Sequence, residues 1–183
     1  LTWLGVSDIY QGSETTRTSL VDPDNRRPVD YSVLTNILER LDSGAAPRNL
    51  DEDKLFLTSR LARLRASRPN TFVGPRSGYR TIPVTTSFAF AYTRLLDEVP
   101  DVVVIVRRLS RRLEQLGGWR EESVVLPEGT WEDVLHGSTV EGGHQPLAEV
   151  VGDAPVVVLA KIPTKATTCN PSQPDQSSEG AAP

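Results

Sequence analysis

The sequence predicts an α+β fold in which a short strand and two helices precede a small antiparallel β-sandwich. Apolar residues recur at helical spacing up to Ser67, and their period changes to two after Asn70. The second half consists of short apolar stretches that Gly and Pro turns separate, which is typical of small antiparallel sheets and sandwiches. From Thr164 onward the chain has little to bury, so we expect a disordered tail over residues 164–183.

The first predicted element is a strand over residues 6–10, where apolar and polar residues alternate and β-branched and aromatic types occur. Only five residues precede this stretch, so its neighbours in a sheet must come from elsewhere. Residues 11–27 are mostly polar and contain Gly12 and Pro23, which predicts a long ordered loop.

Two helices are predicted after the loop. Pro28 fits a first helical turn, the apolar residues after it recur at helical spacing, and Gly44 ends the pattern. The second helix is predicted over residues 50–67, with acidic side chains in its first turn, arginines in its second half and Pro69 after it. The apolar residues of the first helix are Val29, Val33, Leu34, Ile37, Leu38 and Leu41.

The β-domain is predicted to contain five strands. They lie at residues 79–84, 87–93, 102–106, 123–126 and 156–160. Turns are predicted at residues 75–78, 117–118, 127–129 and 142–143.

Composition and charge narrow the possible functions. The chain has 183 residues, of which 38% are hydrophobic and 24% charged, as in soluble globular domains. Its net charge of −4 argues against nucleic acid or an anionic membrane as partner, and no apolar run reaches the ~18 residues of a membrane span. The single Cys169 fits a reducing compartment, so we expect a cytoplasmic protein. Because the chain starts at Leu1 and contains no Met, we expect a processed chain or a fragment.

A dense set of polar side chains between Leu20 and Pro28 is the best candidate binding site. Carboxylates, an amide and two guanidinium groups can pair with the hydroxyls of a neutral sugar, and the prolines stiffen their backbone. A solvated loop with internal ion pairs would use the same residues. A calcium loop would also use the carboxylates, but the glycine and bidentate Glu of an EF-hand are missing and two arginines intrude. The candidate binding residues are Asp22, Asp24, Asn25, Arg26 and Arg27.

Two segments, residues 5–14 and the loop-containing residues 19–31, resemble the maltooligosyltrehalose synthases, a family within the alpha-amylase superfamily (glycoside hydrolase family 13). Residues 5–14 are similar to the eighth-strand motif of the superfamily, which ends in a small-x-Glu turn. Residues 19–31 resemble a block that is specific to this family. The similarity continues through residues 54–69, 113–119, 131–135 and 146–159 and ends near Ile162.

The resemblance implies the C-terminal end of a (β/α)8 barrel followed by an antiparallel β-domain. It also implies an isomerase that converts the reducing-end α-1,4 linkage of a maltooligosaccharide into an α,α-1,1 linkage, in trehalose biosynthesis. In the family, a carboxylate nucleophile on the fourth strand, a Glu acid/base on the fifth and an Asp after the seventh carry out the reaction. Because residues 6–10 match the eighth strand, these three groups would precede Leu1. We therefore assign no catalytic residue, no cofactor and no metal, and expect the chain to be inactive without the missing N-terminal barrel.

The resemblance also implies domain boundaries. Residues 1–70 would complete the barrel, residues 71–163 would form the β-domain, and residues 164–183 would form the tail. Loops that follow barrel strands face the catalytic mouth, which favours a substrate-binding role for residues 22–27. A non-catalytic carbohydrate-binding or scaffold module, built from the β-domain, is the alternative function.

Other conspicuous side chains are predicted to have structural roles. Trp119 and Trp131 lie beside turns of the β-domain, where core packing is more common than sugar stacking. His136 and His144 have no carboxylate or Cys at ligand spacing, which predicts solvated imidazoles. A solvated face is predicted for Arg107, Arg108, Arg111 and Arg112.

Overall fold

The computed structural model describes residues 1–18 and 28–163. The helices in these ranges are α1 (Tyr31–Asp42), α2 (Leu50–Ser67), α3 (Pro69–Phe72), α4 (Ser110–Gln115) and α5 (Leu147–Val150). The strands are β1 (Ser77–Ile82), β2 (Ala89–Leu96), β3 (Val99–Arg107), β4 (Ser123–Asp133), β5 (Thr139–Pro146) and β6 (Val156–Lys161). The tail predicted over residues 164–183 lies outside the described residues.

The six strands form one antiparallel sheet in the order β1-β2-β3-β6-β4-β5. The sheet curls, because Val84, just after β1, forms a bridge with Val124 of β4, although these strands are not neighbours in that order. Beside the bridge, the backbone N–H of Thr85 donates to the carbonyl oxygen of Ser123 at 3.2 Å. The prediction of mixed helices and strands is thereby confirmed. The prediction of a sandwich is not confirmed, because the six strands lie in one curled sheet.

The sheet is buried on both faces at its centre. In β3, the side chains of Val102, Val103, Val104 and Ile105 are each at most 1% exposed. Successive residues of a strand point to opposite faces. Val103 and Ile105 therefore belong to an inner core around Trp131, and Val102 and Val104 to an outer core. Burial on both faces explains why this strand is a continuous apolar run.

Helix α2 packs against the outer face of the sheet. Its Leu61 and Leu64 belong to the outer core together with residues of β2, β3 and β6. The side chain of Asn49 caps the helix by accepting a hydrogen bond from the backbone N–H of Glu52 at 3.1 Å. The predicted bounds of this helix, residues 50–67, are confirmed.

Helix α1 begins later than the position of Pro28 predicts. The carboxylate of Asp30 accepts hydrogen bonds from the backbone N–H groups of Ser32 at 3.1 Å and Val33 at 3.2 Å. These bonds satisfy donors that have no partner inside a helix, so the helix begins at Tyr31.

The strand predicted at residues 6–10 is wrong for this structure. These residues have no regular secondary structure, and Val6 is 99% exposed. An isolated extended segment has no neighbouring strand to supply hydrogen-bond partners for its backbone donors and acceptors. Since the sheet of the described ranges does not include this segment, its alternating pattern alone does not produce a strand.

Two of the predicted turns are also wrong, because they lie inside strands. The pair Gly142 and Gly143 lies in the middle of β5, which the sequence analysis missed. Residues 127–129 lie within β4, where the pairing with β5 shifts between Leu126 and Thr130 as at a β-bulge. The short helices α3, α4 and α5 were also not predicted.

Candidate functional site

The predicted sugar-binding residues lie outside the described residues. Asp22, Asp24, Asn25, Arg26 and Arg27 belong to residues 19–27, so their binding role stays a prediction. The two flanks of this segment are described, and they meet.

Gly12 shows how closely the flanks approach. A Cβ atom on Gly12 would lie 2.7 Å from Cγ2 of Val29, and the φ of Gly12 is +79°. Both the left-handed backbone and the close approach favour glycine at this position. Gly12 and Val29, on the two flanks of the segment, therefore lie against each other.

The N-terminal flank is fixed to the first turn of α2. The backbone N–H of Thr16 donates to Oδ1 of Asp51 at 2.8 Å, and the Thr16 hydroxyl donates to the same oxygen. Nζ of Lys54 donates to the carbonyl oxygen of Thr15 at 2.9 Å. Two hydrogen bonds from Thr16 lower the pKa of Asp51. The bond from the hydroxyl has the larger effect, and the bond from the backbone N–H has the smaller one. The flank that precedes the predicted binding residues is therefore anchored on a helix.

Glu14 lies in the same flank and presents an unsatisfied acceptor. Its Oε2 atom is buried, and no residue of the described ranges donates a hydrogen bond to it. A buried carboxylate oxygen without a donor is costly. Glu14 is therefore a further candidate polar contact beside the loop.

A cleft of about 950 Å³ adjoins this anchor. The connection between α1 and α2, the first turns of α2 and the β4–β5 turn form its walls. Lys54 lines the cleft and also contacts Thr15, so the cleft adjoins the N-terminal flank of the predicted binding residues. The charged and imidazole side chains in its lining are those of Asp53, Lys54, Arg60, Glu132, Asp133 and His136.

An oriented imidazole lies in this cleft. Nδ1 of His136 is 2.8 Å from Oδ2 of Asp133, and Oδ1 of Asp133 accepts from the backbone N–H of Leu135 at 2.9 Å. The Asp133 side chain is 9% exposed and that of His136 is 61% exposed. A buried carboxylate that holds one ring nitrogen leaves Nε2 for a ligand in the cleft.

The prediction of solvated imidazoles is confirmed, because both histidines are exposed, but each ring also has a polar partner that the sequence pattern did not reveal. The carboxylate partner of His136 lies three residues before it, and the turn after β4 brings the two side chains together. Nε2 of His144 is 2.9 Å from Oγ of Ser123, across the β4–β5 pair. An Asp three residues before a His was the available signal for the first contact, and only strand pairing reveals the second.

The tryptophan predictions are confirmed. Trp131 is fully buried in the inner core, and its indole N–H donates to the carbonyl oxygen of Pro127 at 2.8 Å. Trp119 packs against the same core, and its indole N–H donates to the carbonyl oxygen of Gly152 at 2.7 Å. The Trp131 ring is therefore not available to stack on a sugar, and the Trp119 ring is half-buried against the core.

The predicted solvated arginine face is only partly correct. The side chain of Arg107 is 14% exposed and lies 3.8 Å from the carboxylate of Asp153. Arg107 is the last residue of β3, where the sheet still covers it. The other three arginines of the run, Arg108, Arg111 and Arg112, are exposed.

Metal sites and membrane-spanning helices are both absent from the described residues. Within residues 1–18 and 28–163, no three His, Cys, Asp or Glu side chains are placed to hold a metal ion. No helix in the described part of the chain is both long and apolar enough to cross a bilayer.

Known proteins resemble both the sequence and the structure. The chain is 38% identical over 167 residues to the maltooligosyl trehalose synthases of two Mycobacterium tuberculosis strains, which covers 88% of this chain and 19% of each relative. It superposes on the maltooligosyltrehalose synthase of Arthrobacter ramosus, and on a mutant of that enzyme, with TM-score 0.72 and 32% identity over 85% of this chain and 20% of theirs. A glycosyltrehalose synthase matches with TM-score 0.57 and 25% identity over 86% of this chain and 18% of its own. No family model matches the chain.

These relatives and structural neighbours are synthases whose names refer to trehalose. Within that class, the predicted resemblance to the maltooligosyltrehalose synthases is confirmed. The chain spans about a fifth of the length of the relatives that it matches.

Proposed function

We propose that this chain is part of an intramolecular transglucosidase, a maltooligosaccharide glucosylmutase. The enzyme would convert the reducing-end α-1,4 linkage of a maltooligosaccharide into the α,α-1,1 linkage of a terminal trehalose unit. The observation that carries this proposal is the 38% identity to maltooligosyl trehalose synthases across 88% of the chain. Because the chain spans 19% of those relatives, the active unit would be larger than this chain.

In that enzyme, residues 1–70 would complete a (β/α)8 barrel, and residues 71–163 would form the β-domain after it. The nucleophile, the acid/base and the third carboxylate would lie in the remainder of the barrel. This chain would therefore supply substrate contacts and no catalytic carboxylate.

The loop over residues 19–27 would bind the glucose unit that is released and turned around. Its guanidinium groups, Arg26 and Arg27, would donate hydrogen bonds to sugar hydroxyls or to the catalytic carboxylates. Asp22, Asp24 and Asn25 would supply acceptors and a further donor. The anchoring of its N-terminal flank on Asp51 supports this role, because a fixed flank reduces the entropy lost when the sugar binds.

A chimaera tests the proposal. The corresponding fifth of the Arthrobacter ramosus synthase is replaced by this chain. The chimaeric protein is incubated with maltopentaose, and the concentration of reducing ends is measured over time. We expect the loss of reducing ends without release of glucose, because isomerisation consumes the reducing end and keeps every glucose unit. A matched chimaera with Trp131→Ala, in which the grafted domain should be destabilised, shows what a misfolded graft does to the activity.

The isolated chain provides the second arm of this test. We expect no loss of reducing ends above a buffer control, since the carboxylates that react would be absent. Binding of maltopentaose by the isolated chain together with an inactive, folded chimaera would instead favour the alternative, a non-catalytic carbohydrate-binding module. Turnover by the isolated chain would contradict the assignment of the catalytic groups.

A further inference from the structure

The cleft of about 950 Å³ beside α2 has the composition of a ligand site. Its described lining runs from Leu41 to Val156, so the helical region and the β-domain of this chain form its walls, and residues 1–18 do not line it. Most of the lining residues are apolar, and a few polar side chains lie among them. Sites that bind small molecules have this composition.

His136 offers an oriented hydrogen-bond acceptor to the cleft. Its Nδ1 is 2.8 Å from Oδ2 of Asp133, and an ionised carboxylate can only accept, so Nδ1 carries the ring proton. Nε2 of the neutral ring then has a free lone pair. The other carboxylate oxygen of Asp133 accepts from the backbone N–H of Leu135 at 2.9 Å, which fixes the carboxylate and, through it, the ring.

Two cations of α2 offer donors to the same cleft. Lys54 uses one N–H group on the carbonyl oxygen of Thr15 at 2.9 Å, and an ammonium group has three. Arg60 lies 4.0 Å from the carboxylate of Asp42, but both oxygens of that carboxylate already accept from Arg63 at 2.6 Å. The Arg60 guanidinium therefore retains N–H groups for a ligand.

The charges around the cleft nearly cancel. Asp53, Glu132 and Asp133 supply three carboxylates, and Lys54 and Arg60 supply two cations. A charged ligand of either sign would lose hydration and also meet groups of its own charge. A neutral ligand with hydroxyl groups and apolar faces matches both the mixed polar groups and the apolar lining.

We infer that this cleft binds glucose units of a maltooligosaccharide beyond the two units that react. A glucose ring has hydroxyls at its edge, which can donate to His136 and accept from the two cations, and C–H groups on its faces, which can pack on the apolar lining. Because Lys54 lines the cleft and also holds Thr15, the cleft adjoins the flank of the predicted binding loop. One substrate chain can therefore extend from that loop into the cleft. This inference rests on the proposed function for the identity of the substrate.

NMR titration of the 183-residue chain with maltoheptaose tests the site. The ring signals of His136 and the amide signals of Leu135 and Gly137 should shift and saturate. His136→Ala should weaken binding by about two- to tenfold, because one hydrogen bond between neutral groups is lost. Leu50→Ser should also weaken binding, because Leu50 is an apolar member of the lining. Its side chain is 69% exposed, so this substitution leaves the core intact.

His144→Ala is the matched control. His144 is also exposed and has a polar partner, Ser123, but it does not line the cleft. This variant should bind maltoheptaose as the wild-type chain does. The inference is overturned if maltoheptaose causes no saturable shifts in the wild-type chain, or if His136→Ala and Leu50→Ser bind as tightly as His144→Ala.

The chimaera separates failure of this inference from failure of the proposed function. In an active chimaera, His136→Ala and Leu50→Ser should raise KM for maltoheptaose more than KM for maltotetraose, because the shorter chain has fewer units to reach the cleft. Equal effects on both substrates, or none, contradict the inference and leave the proposed function intact. A folded but inactive chimaera contradicts the proposed function, and the titration of the 183-residue chain then decides whether the cleft binds the sugar.

Discussion

Trp131 is the largest side chain that the inner core encloses completely. We predict that Trp131→Ala destabilises the chain by about 3–5 kcal/mol, because the substitution removes a large buried surface and leaves a cavity. Urea unfolding followed by circular dichroism measures the change. Trp131→Phe should cost less, since it keeps most of the apolar contact and loses the hydrogen bond to Pro127. A loss below 1 kcal/mol for the alanine variant would contradict the burial of this ring.

The anchor of the loop at Asp51 predicts a dependence on pH. The hydrogen bonds from Thr16 lower the pKa of Asp51 in the folded chain relative to the unfolded chain. The carboxylate therefore stabilises the anchor at pH values above the ordinary aspartate pKa. That contribution is lost as the pH falls through the lowered pKa.

NMR titration of the carboxyl carbon of Asp51 measures this directly. We expect a midpoint below that of an unperturbed aspartate, with a simultaneous shift of the Thr16 amide. Asp51→Asn should abolish the acid-dependent shift of that amide, and Thr16→Val should return the midpoint toward the ordinary value. An ordinary midpoint in the wild-type chain would show that the anchor does not form in solution.

The arginines of the predicted binding loop have a distinct expected signature. In the active chimaera, Arg26→Ala or Arg27→Ala should slow formation of the trehalose linkage by about ten- to a hundredfold, the effect of one lost charge-assisted hydrogen bond. Free glucose per turnover should rise at the same time, because a loosely held glucose lets water reach the intermediate. The measurement is the ratio of isomerisation to glucose release. A solvated arginine can be removed with almost no change, so wild-type rates and ratios for both variants would show that this loop does not bind the substrate.

At the scale of elements, helices were easier to predict than strands. Helix α2 has its capping Asn49, its acidic first turn and Pro69 directly after it, and each signal is local in the sequence. Strand β5 has no such signal, because Gly142 and Gly143 are typical of a turn. Its pairing with β4 decides its structure, and pairing between distant residues cannot be derived from local composition.

Gly142 also explains why a glycine is needed inside β5. A Cβ atom there would lie 2.5 Å from the carbonyl oxygen of Pro127 and 2.8 Å from Cα of Glu128, both backbone atoms of the β4 bulge. We predict that Gly142→Ala destabilises the chain by about 1–3 kcal/mol, because backbone atoms must move. Gly117→Ala is the control, because a Cβ atom there has open space and meets only the strain of its positive φ.

Two measurements separate these effects. Urea unfolding gives the free energy for each variant, and amide exchange in β4 reports on the bulge. We expect faster exchange in β4 for Gly142→Ala and no change there for Gly117→Ala. Unchanged exchange and stability in Gly142→Ala would contradict the close approach of the two strands.

At the scale of the whole molecule, the order of the elements was predictable and their joint packing was not. The sequence pattern indicated two helices before a β-domain, with a boundary near residue 70. In the structure, Leu61 and Leu64 on one side of that boundary share the outer core with Val102 and Val104 on the other. Such contacts depend on the three-dimensional arrangement of distant segments. The binding loop was predicted from residue types and from a resemblance, and its residues 19–27 lie outside the described ranges.

This shared core predicts how amide exchange is distributed over the molecule. β3 pairs with β2 on one side and with β6 on the other, and its residues between Val102 and Ile105 are buried on both faces. Their amides can exchange only when the sheet opens, so we expect the greatest protection there and in β6. The amides around Leu61 and Leu64 should also be protected, because opening α2 exposes the outer core. Residues 6–10 have no strand pairing and should exchange as fast as an unfolded peptide.

Native-state exchange with fragment separation measures all of these regions in one experiment. Leu64→Ala is the informative variant: it should accelerate exchange in α2 and in β3 together if they share a core. Acceleration confined to α2 would show instead that the helical region and the sheet unfold as separate units.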